Sequence, residues 1–157
     1  MMNNFCRLWI FQSNRFLNNE EKQNISDIIS KFLASWTAHG ADLKSELRII
    51  KDKFIVIMVD EDQTRATGCS LDKLNQCMRE IDHIYHLELL NRLWVSFEDT
   101  NGNINTIPIS SFKEKIKSEE ITPDTYVYNL SVNTPKEFEE KFKQPLKNSW
   151  AKIYMKL

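Results

Sequence analysis

Residues 54–60 read Phe-Ile-Val-Ile-Met-Val-Asp, with six apolar side chains in succession. A strand sends successive side chains to opposite faces, so this run must be covered on both sides. It predicts a central strand with partners along its edges. The flanking sequence supplies them. Residues 7–12, rich in Leu, Trp, Ile and Phe, read as one strand, and residues 46–51 form a hairpin with 53–60.

Helices alternate with these strands. From about Asn19 to His39, the residues Ile25, Ile28, Ile29, Phe32, Leu33 and Trp36 recur at helical spacing. Asn18 with Glu21 predicts the N-terminal cap, and Gly40 suits the left-handed position past the end. A second helix is expected from about Ser70 to Asn91, with Leu71, Leu74, Met78, Ile81 and Tyr85 on one face. Strands near 93–99 and 104–109 flank the turn signal Asn101-Gly102.

The first hundred residues thus run β-α-β-β-α-β, the order of a ferredoxin-like plait. In that fold the strands at 7–12 and 53–60 lie parallel and adjacent, with both helices on one face. The expectation is a single α+β domain over 1–157, with a core of about 6–99 and a β-α-β-α extension over about 100–157. In the extension, Ser111 and Glu114 resemble a capping box, and 125–132 reads as a strand. Thr134, Pro135 and Glu137 mark the start of a last helix.

Composition narrows the class. At 41% hydrophobic and 27% charged, the chain is too apolar for disorder and too polar for a membrane protein. A net charge of −1 creates no global field toward nucleic acid or anionic lipid. The three cysteines, Cys6, Cys69 and Cys77, form no CxxC pair or disulfide framework. No secretory signal and no apolar run of ~20 residues is seen. A soluble cytoplasmic protein without a membrane partner is the expectation. Nothing in the pattern sets an oligomeric state.

A plait brings two loops to one edge, Gln12-Ser13-Asn14-Arg15 and the segment from Asp60 to Ser70. Gln12, Asn14, Arg15, Arg65, Thr67, Gly68, Cys69 and Ser70 are therefore candidate ligands for an anion or a macromolecular partner. Backbone N–H groups at a helix start, with the helix dipole behind them, favour negative charge. The simpler alternative is that Thr67 and Ser70 only cap the helix.

Cys69 at a helix start is a candidate nucleophile, with Asp60 or Asp62 as acid/base. A cysteine–histidine hydrolase also needs a histidine within reach. In the expected fold His39 lies ~30 Å away at the far end of the first helix, and His83 and His86 lie ~20 Å along the second. His83 and His86 at i, i+3 could share a metal. Without H-E-x-x-H, an ordinary amphipathic face explains them, and no metal is expected.

No cofactor is expected either. G-x-x-x-x-G-K-[ST] and G-x-G-x-x-G are both absent, and the chain has only three glycines. The C-terminal stretch interleaves Lys141, Lys143, Lys147, Lys152 and Lys156 with Phe138, Phe142, Trp150 and Tyr154. Such a pattern can hold single-stranded RNA by stacking and phosphate contacts. Glu137, Glu139 and Glu140 dilute the charge, and Phe138 with Phe142 at i, i+4 is more simply a core face.

Several stretches together resemble a known family: Trp9-Ile10-Phe11-Gln12-Ser13-Asn14-Arg15, residues 36–44 around His39-Gly40, Phe54-Ile55-Val56-Ile57, Ala66-Thr67-Gly68-Cys69-Ser70-Leu71-Asp72, Tyr128-Asn129-Leu130 and Ser149-Trp150. The family is an uncharacterised group of small Bacteroidetes proteins often labelled "ABC transporter ATPase", and the likeness spans nearly the whole chain. The label implies ATP hydrolysis, for which these residues supply no phosphate loop. The chain departs from the family pattern at Ala151, where histidine is common, and at Asn91, where aspartate is usual. Two functions follow as expectations: a non-enzymatic binding or interaction module, or a small enzyme built on the Thr67-Gly68-Cys69-Ser70 turn.

Overall fold

The computed structural model describes residues 5–156. The fold is mixed α+β with three antiparallel sheets, and the chain divides into two compact units.

The first unit comprises residues 1–90 and 133–135. Strand β1 (Cys6–Gln12) leads into α1 (Asn19–Ala34). A small hairpin, β2 (Thr37–Ala38) and β3 (Ala41–Asp42), follows, then β4 (Lys44–Ile50), β5 (Phe54–Asp60) and α2 (Gly68–Tyr85). The main sheet has the order β1-β5-β4. Every residue of β5 is buried, as its apolar run requires. Ile25 and Ile29 of α1 and Leu74, Met78 and Ile81 of α2 share a core with Ile55, Ile57 and Val59 of β5.

This arrangement departs from a ferredoxin-like plait in two respects. First, β1 pairs with β5 antiparallel, Cys6 opposite Asp60 and Gln12 opposite Phe54. Second, the strand expected near 93–99 joins a different sheet. Alternating apolar residues state that a strand is buried. They carry no information on the direction of its neighbour.

The first helix also ends earlier than the apolar spacing predicts. Its C-cap is Ser35, and the chain turns back through His39 and Gly40, at φ 54° and 75°. Two successive positive φ values make a type I′ hairpin turn, so Gly40 serves a hairpin and not a helix end. Trp36 stays in the core at 2% exposure, but as the residue that precedes β2. At the other end Asn18 and Glu21 form the expected capping box. The β4–β5 connection is again a left-handed pair, Lys51 and Asp52 at φ 53° and 55°. Lys53 N–H closes it on Ile50 O at 3.1 Å.

The second unit comprises residues 91–132 and 136–157. Strands β6 (Trp94–Glu98) and β7 (Ile104–Pro108) form the hairpin expected around Asn101-Gly102. Asp99 Oδ1 accepts N–H groups from Asn101 and Asn103, and Gly102 takes φ 78°. Helix α3 (Ile109–Lys117) begins immediately after Pro108, two residues before Ser111, and no side chain caps it. Ile109 N–H is instead taken by Leu93 O at 2.8 Å, so tertiary contact replaces the expected Ser111–Glu114 box.

Strand β8 is only Tyr126–Tyr128, shorter than the expected 125–132. Helix α4 (Pro135–Lys141) starts at the expected proline, and β9 (Lys143–Pro145) completes the sheet β7-β6-β8-β9. Two 3-10 turns, Leu146–Asn148 and Trp150–Lys156, end the chain. Among the described residues, no helix is long and apolar enough to cross a membrane.

Candidate functional site

Antiparallel pairing separates the two loops that were expected to meet. They leave opposite ends of seven-residue strands, ~20 Å apart along the sheet. The Gln12 loop lies instead beside the 51–53 turn and the end of α2. Ser13 N–H donates to Lys53 O, Asn14 N–H to Leu87 O and Leu17 N–H to Asp52 O, all at 2.8–2.9 Å. Gln12 is buried.

Arg15 is committed locally. It grips both oxygens of Glu21, at 3.0 and 2.6 Å, and also donates to Tyr85 O at 3.2 Å. The hydrogen bond to Arg15 holds the Glu21 carboxyl below its usual range, while Glu21 raises Arg15. Arg15 is thus a clasp between α1 and the C-terminal end of α2. Asn14 Oδ1 is buried with no hydrogen-bond partner among the described residues.

The other loop caps its own helix. Thr67 Oγ1 accepts Ser70 N–H at 3.2 Å, and Ser70 Oγ accepts Thr67 N–H at 2.6 Å. Glu61 Oε2 takes Ala66 N–H at 2.8 Å. These bonds consume the backbone donors at Ala66, Thr67 and Ser70 that an anion would need, leaving Gly68 and Cys69 at the helix start. Thr67→Ala is expected to lower stability by ~1 kcal/mol, read as a reduced urea midpoint at unchanged slope.

Asp60 is 7% exposed and has Lys44 Nζ at 3.7 Å. With Asp42, Asp62, Gln63 and Thr64 these residues line a hollow of about 280 Å³. Cys69 is exposed and does not line it, so thiol and carboxylates do not share that hollow. Arg65 is exposed on the same loop.

His39 is nearer to the α2 start than the expected fold allows. Strand β2 packs on α2, and Trp36 Nε1 donates to Ser70 O at 2.8 Å. Among the described residues, no hydrogen bond joins His39 to Cys69. His86 occupies the left-handed C-cap of α2 at φ 55°. Among the described residues, no three His, Cys, Asp or Glu side chains gather as a metal site.

In the basic, aromatic C-terminal stretch the lysines and Trp150 are exposed, while other rings pack within the second unit. Phe138 stacks on Phe142 at 4.6 Å, and Phe142 is buried. Trp150 Nε1 donates to Tyr128 O at 2.9 Å. Lys143 pairs with Glu98 and Lys147 with Asp124, each at 2.8 Å. Ala151 is fully buried, and Asn91 Oδ1 accepts Leu93 N–H at 2.9 Å.

Two features escaped the sequence reading. The first is Lys53, 2% exposed, whose ammonium donates to Ser13 O at 3.4 Å and lies 4.6 Å from the Phe16 ring centroid. Burial lowers its pKa to about 8. A lysine beside an Asp in a turn carries no sequence mark of burial. The second is a groove of about 1010 Å³ between α1 and β4, lined among others by Ser26, Ser30, Ala34, Leu47 and Ile49.

The groove lies along a free sheet edge. On its inner side β4 pairs with β5. Among the described residues, no backbone hydrogen bond reaches the outer edge of Lys44–Ile50. The opposite edge of the sheet differs, because Leu8 N–H of β1 donates to Asn133 O at 2.9 Å. No family model, curated protein or solved structure matches the chain.

Proposed function

We propose that this chain is a non-enzymatic binding or interaction module of the cytoplasm, and that the groove between α1 and the open edge of β4 is its docking surface. One observation carries this: an unpaired strand edge beside a helix, with a groove large enough for an added segment. Such an edge supplies main-chain hydrogen bonds for β-augmentation, and the flanking helix selects side chains. The family likeness to small Bacteroidetes proteins belongs to the same proposal, without the ATPase activity. Gly40 and Gly102 shape hairpin turns and Gly68 opens α2, which leaves no glycine for a phosphate cradle. Cytoplasmic residence fits three cysteines that form no disulfide, Cys77 being pushed up to about 11 by burial.

The test is affinity co-purification under stringent washing. A tagged wild-type chain should retain a stoichiometric protein partner, either its own untagged copy or another chain. A Ser26→Arg/Ser30→Arg variant, with the groove blocked, should lose it. A wild-type chain that retains nothing overturns the proposal. In the same preparation, Mg·ATP hydrolysis should stay at the blank level. Turnover abolished by Cys69→Ala or Asp60→Asn would carry the enzyme alternative instead.

A further inference from the structure

The edge strand β4 has a sequence that is complementary to itself. It reads Lys44-Ser45-Glu46-Leu47-Arg48-Ile49-Ile50. Glu46 and Arg48 share one face, where the Arg48 guanidinium meets Glu46 Oε1 at 2.8 Å. Ser45, Leu47 and Ile49 take the other face, and Leu47 and Ile49 pack on the core.

Two copies of such an edge can pair antiparallel about a two-fold axis only in registers centred on one residue. Centred on Leu47, Glu46 of each copy stands opposite Arg48 of the other, and Ser45 stands opposite Ile49. Centred on Glu46, two glutamates face each other and Lys44 faces Arg48. Centred on Arg48, two arginines face each other and Glu46 faces Ile50. Centred on Ser45, Lys44 stands opposite Glu46, but only three residues of the strand pair; the Leu47 register pairs all seven residues, with two opposite-charge pairs and no like-charge pair. Cross-strand neighbours sit ~5 Å apart, so charge pairing and full-length overlap together select the Leu47 register.

We infer that the partner of this edge is a second copy of the chain, joined through β4 centred on Leu47 into a sheet of order β1-β5-β4-β4-β5-β1. The inference rests on the proposal that the β4 edge is a docking surface, and it names the occupant. Charges on an edge strand ordinarily repel other strands. Here they disfavour the Glu46 and Arg48 registers and favour one full-length pairing of the same sequence. The helix side is compatible. Ser26, Ser30 and Ala34 follow i, i+4, i+8 spacing along the groove and present small side chains where the partner's first helix approaches.

Sedimentation equilibrium of the full chain tests this. The wild type should sediment at twice the chain mass. Glu46→Arg and Arg48→Glu should each weaken the dimer by ~10-fold or more, because each replaces two attractive cross-strand pairs with two repulsive ones. The double variant Glu46→Arg/Arg48→Glu should regain wild-type affinity, and mixing the two single variants should restore a heterodimer. Both positions are partly exposed, with side chains 28% and 52% accessible, and circular dichroism confirms folding. As a measure independent of any variant, amide exchange over residues 44–50 of the wild type should slow as concentration rises.

A wild type that stays monomeric overturns the inference, as do single reversals without effect, a double variant no better than the singles, or exchange independent of concentration. If the groove variant of the co-purification loses a different stoichiometric protein while the wild type is monomeric, the docking surface stands and self-pairing fails. If nothing is retained and the chain is monomeric, both fail.

Discussion

Trp36→Ala is expected to lower the unfolding free energy by ~3–5 kcal/mol, the range for removing a large buried aromatic side chain. Trp36 is 2% exposed where the end of α1, the small hairpin and the start of α2 converge. Its ring meets Phe32 at 5.5 Å and Trp9 edge-on at 6.4 Å, and its Nε1 donates to Ser70 O at 2.8 Å. Truncation therefore opens a cavity shared by a helix, a hairpin and the sheet, and removes the link to α2. Trp36→Phe keeps most of the ring volume and should cost markedly less. Urea denaturation of the three proteins decides it. A Trp36→Ala cost below ~1 kcal/mol would mean that the site collapses around the loss.

Lys53→Met is expected to abolish a pH dependence of stability. Burial lowers Lys53 from 10.5 to about 8, so its charged form is disfavoured in the folded state. Below pH 8 the lysine is protonated both folded and unfolded, and the folded state carries the whole desolvation cost. Between about pH 8 and 10.5 the unfolded chain binds the proton and the folded chain does not, so stability rises with pH. The full rise is ~3 kcal/mol, set by the burial that lowers Lys53 to about 8. Other groups titrate in the same window, so the measured quantity is the difference between wild type and Lys53→Met. That difference should move by ~3 kcal/mol between pH 7.5 and 10.5, in the direction that favours the wild type at high pH. Parallel curves would show that Lys53 ionises as a solvated lysine does.

Both effects arise where the chain is hardest to read. Trp36 fits the apolar spacing of α1, so the sequence reading extends the helix through it to His39. The hairpin at 37–42 wins because His39 and Gly40 accept left-handed geometry and Leu43 N–H closes on Trp36 O at 3.0 Å. Lys53 looks like a solvated turn residue. The left-handed pair Lys51-Asp52 rotates it inward against Ser13 and Phe16 instead.

The two candidate loops lie apart for a similar reason. The Asp60–Ser70 and Gln12–Arg15 loops were placed together by strand order alone. Strand order permits parallel or antiparallel pairing of β1 with β5. The antiparallel choice sends Arg15 to Glu21 and Tyr85 O, and leaves Thr67 and Ser70 to cap their own helix. The β4 groove was invisible because an edge is defined by the absence of a neighbour, which no single segment records.

Local interactions determined what the sequence could show by itself. The cap at Asn18 and Glu21, the cap at Thr67 and Ser70, the Asn101-Gly102 hairpin and the two-faced burial of β5 each depend on residues within a few positions of one another. Tertiary structure decided the direction of β1 against β5, the early end of α1, the start of α3 at Pro108 and the assignment of β6 to a second sheet. Each of those depends on which distant segment supplies the hydrogen bonds and the apolar cover, and the pattern of one strand is satisfied equally by a neighbour running either way.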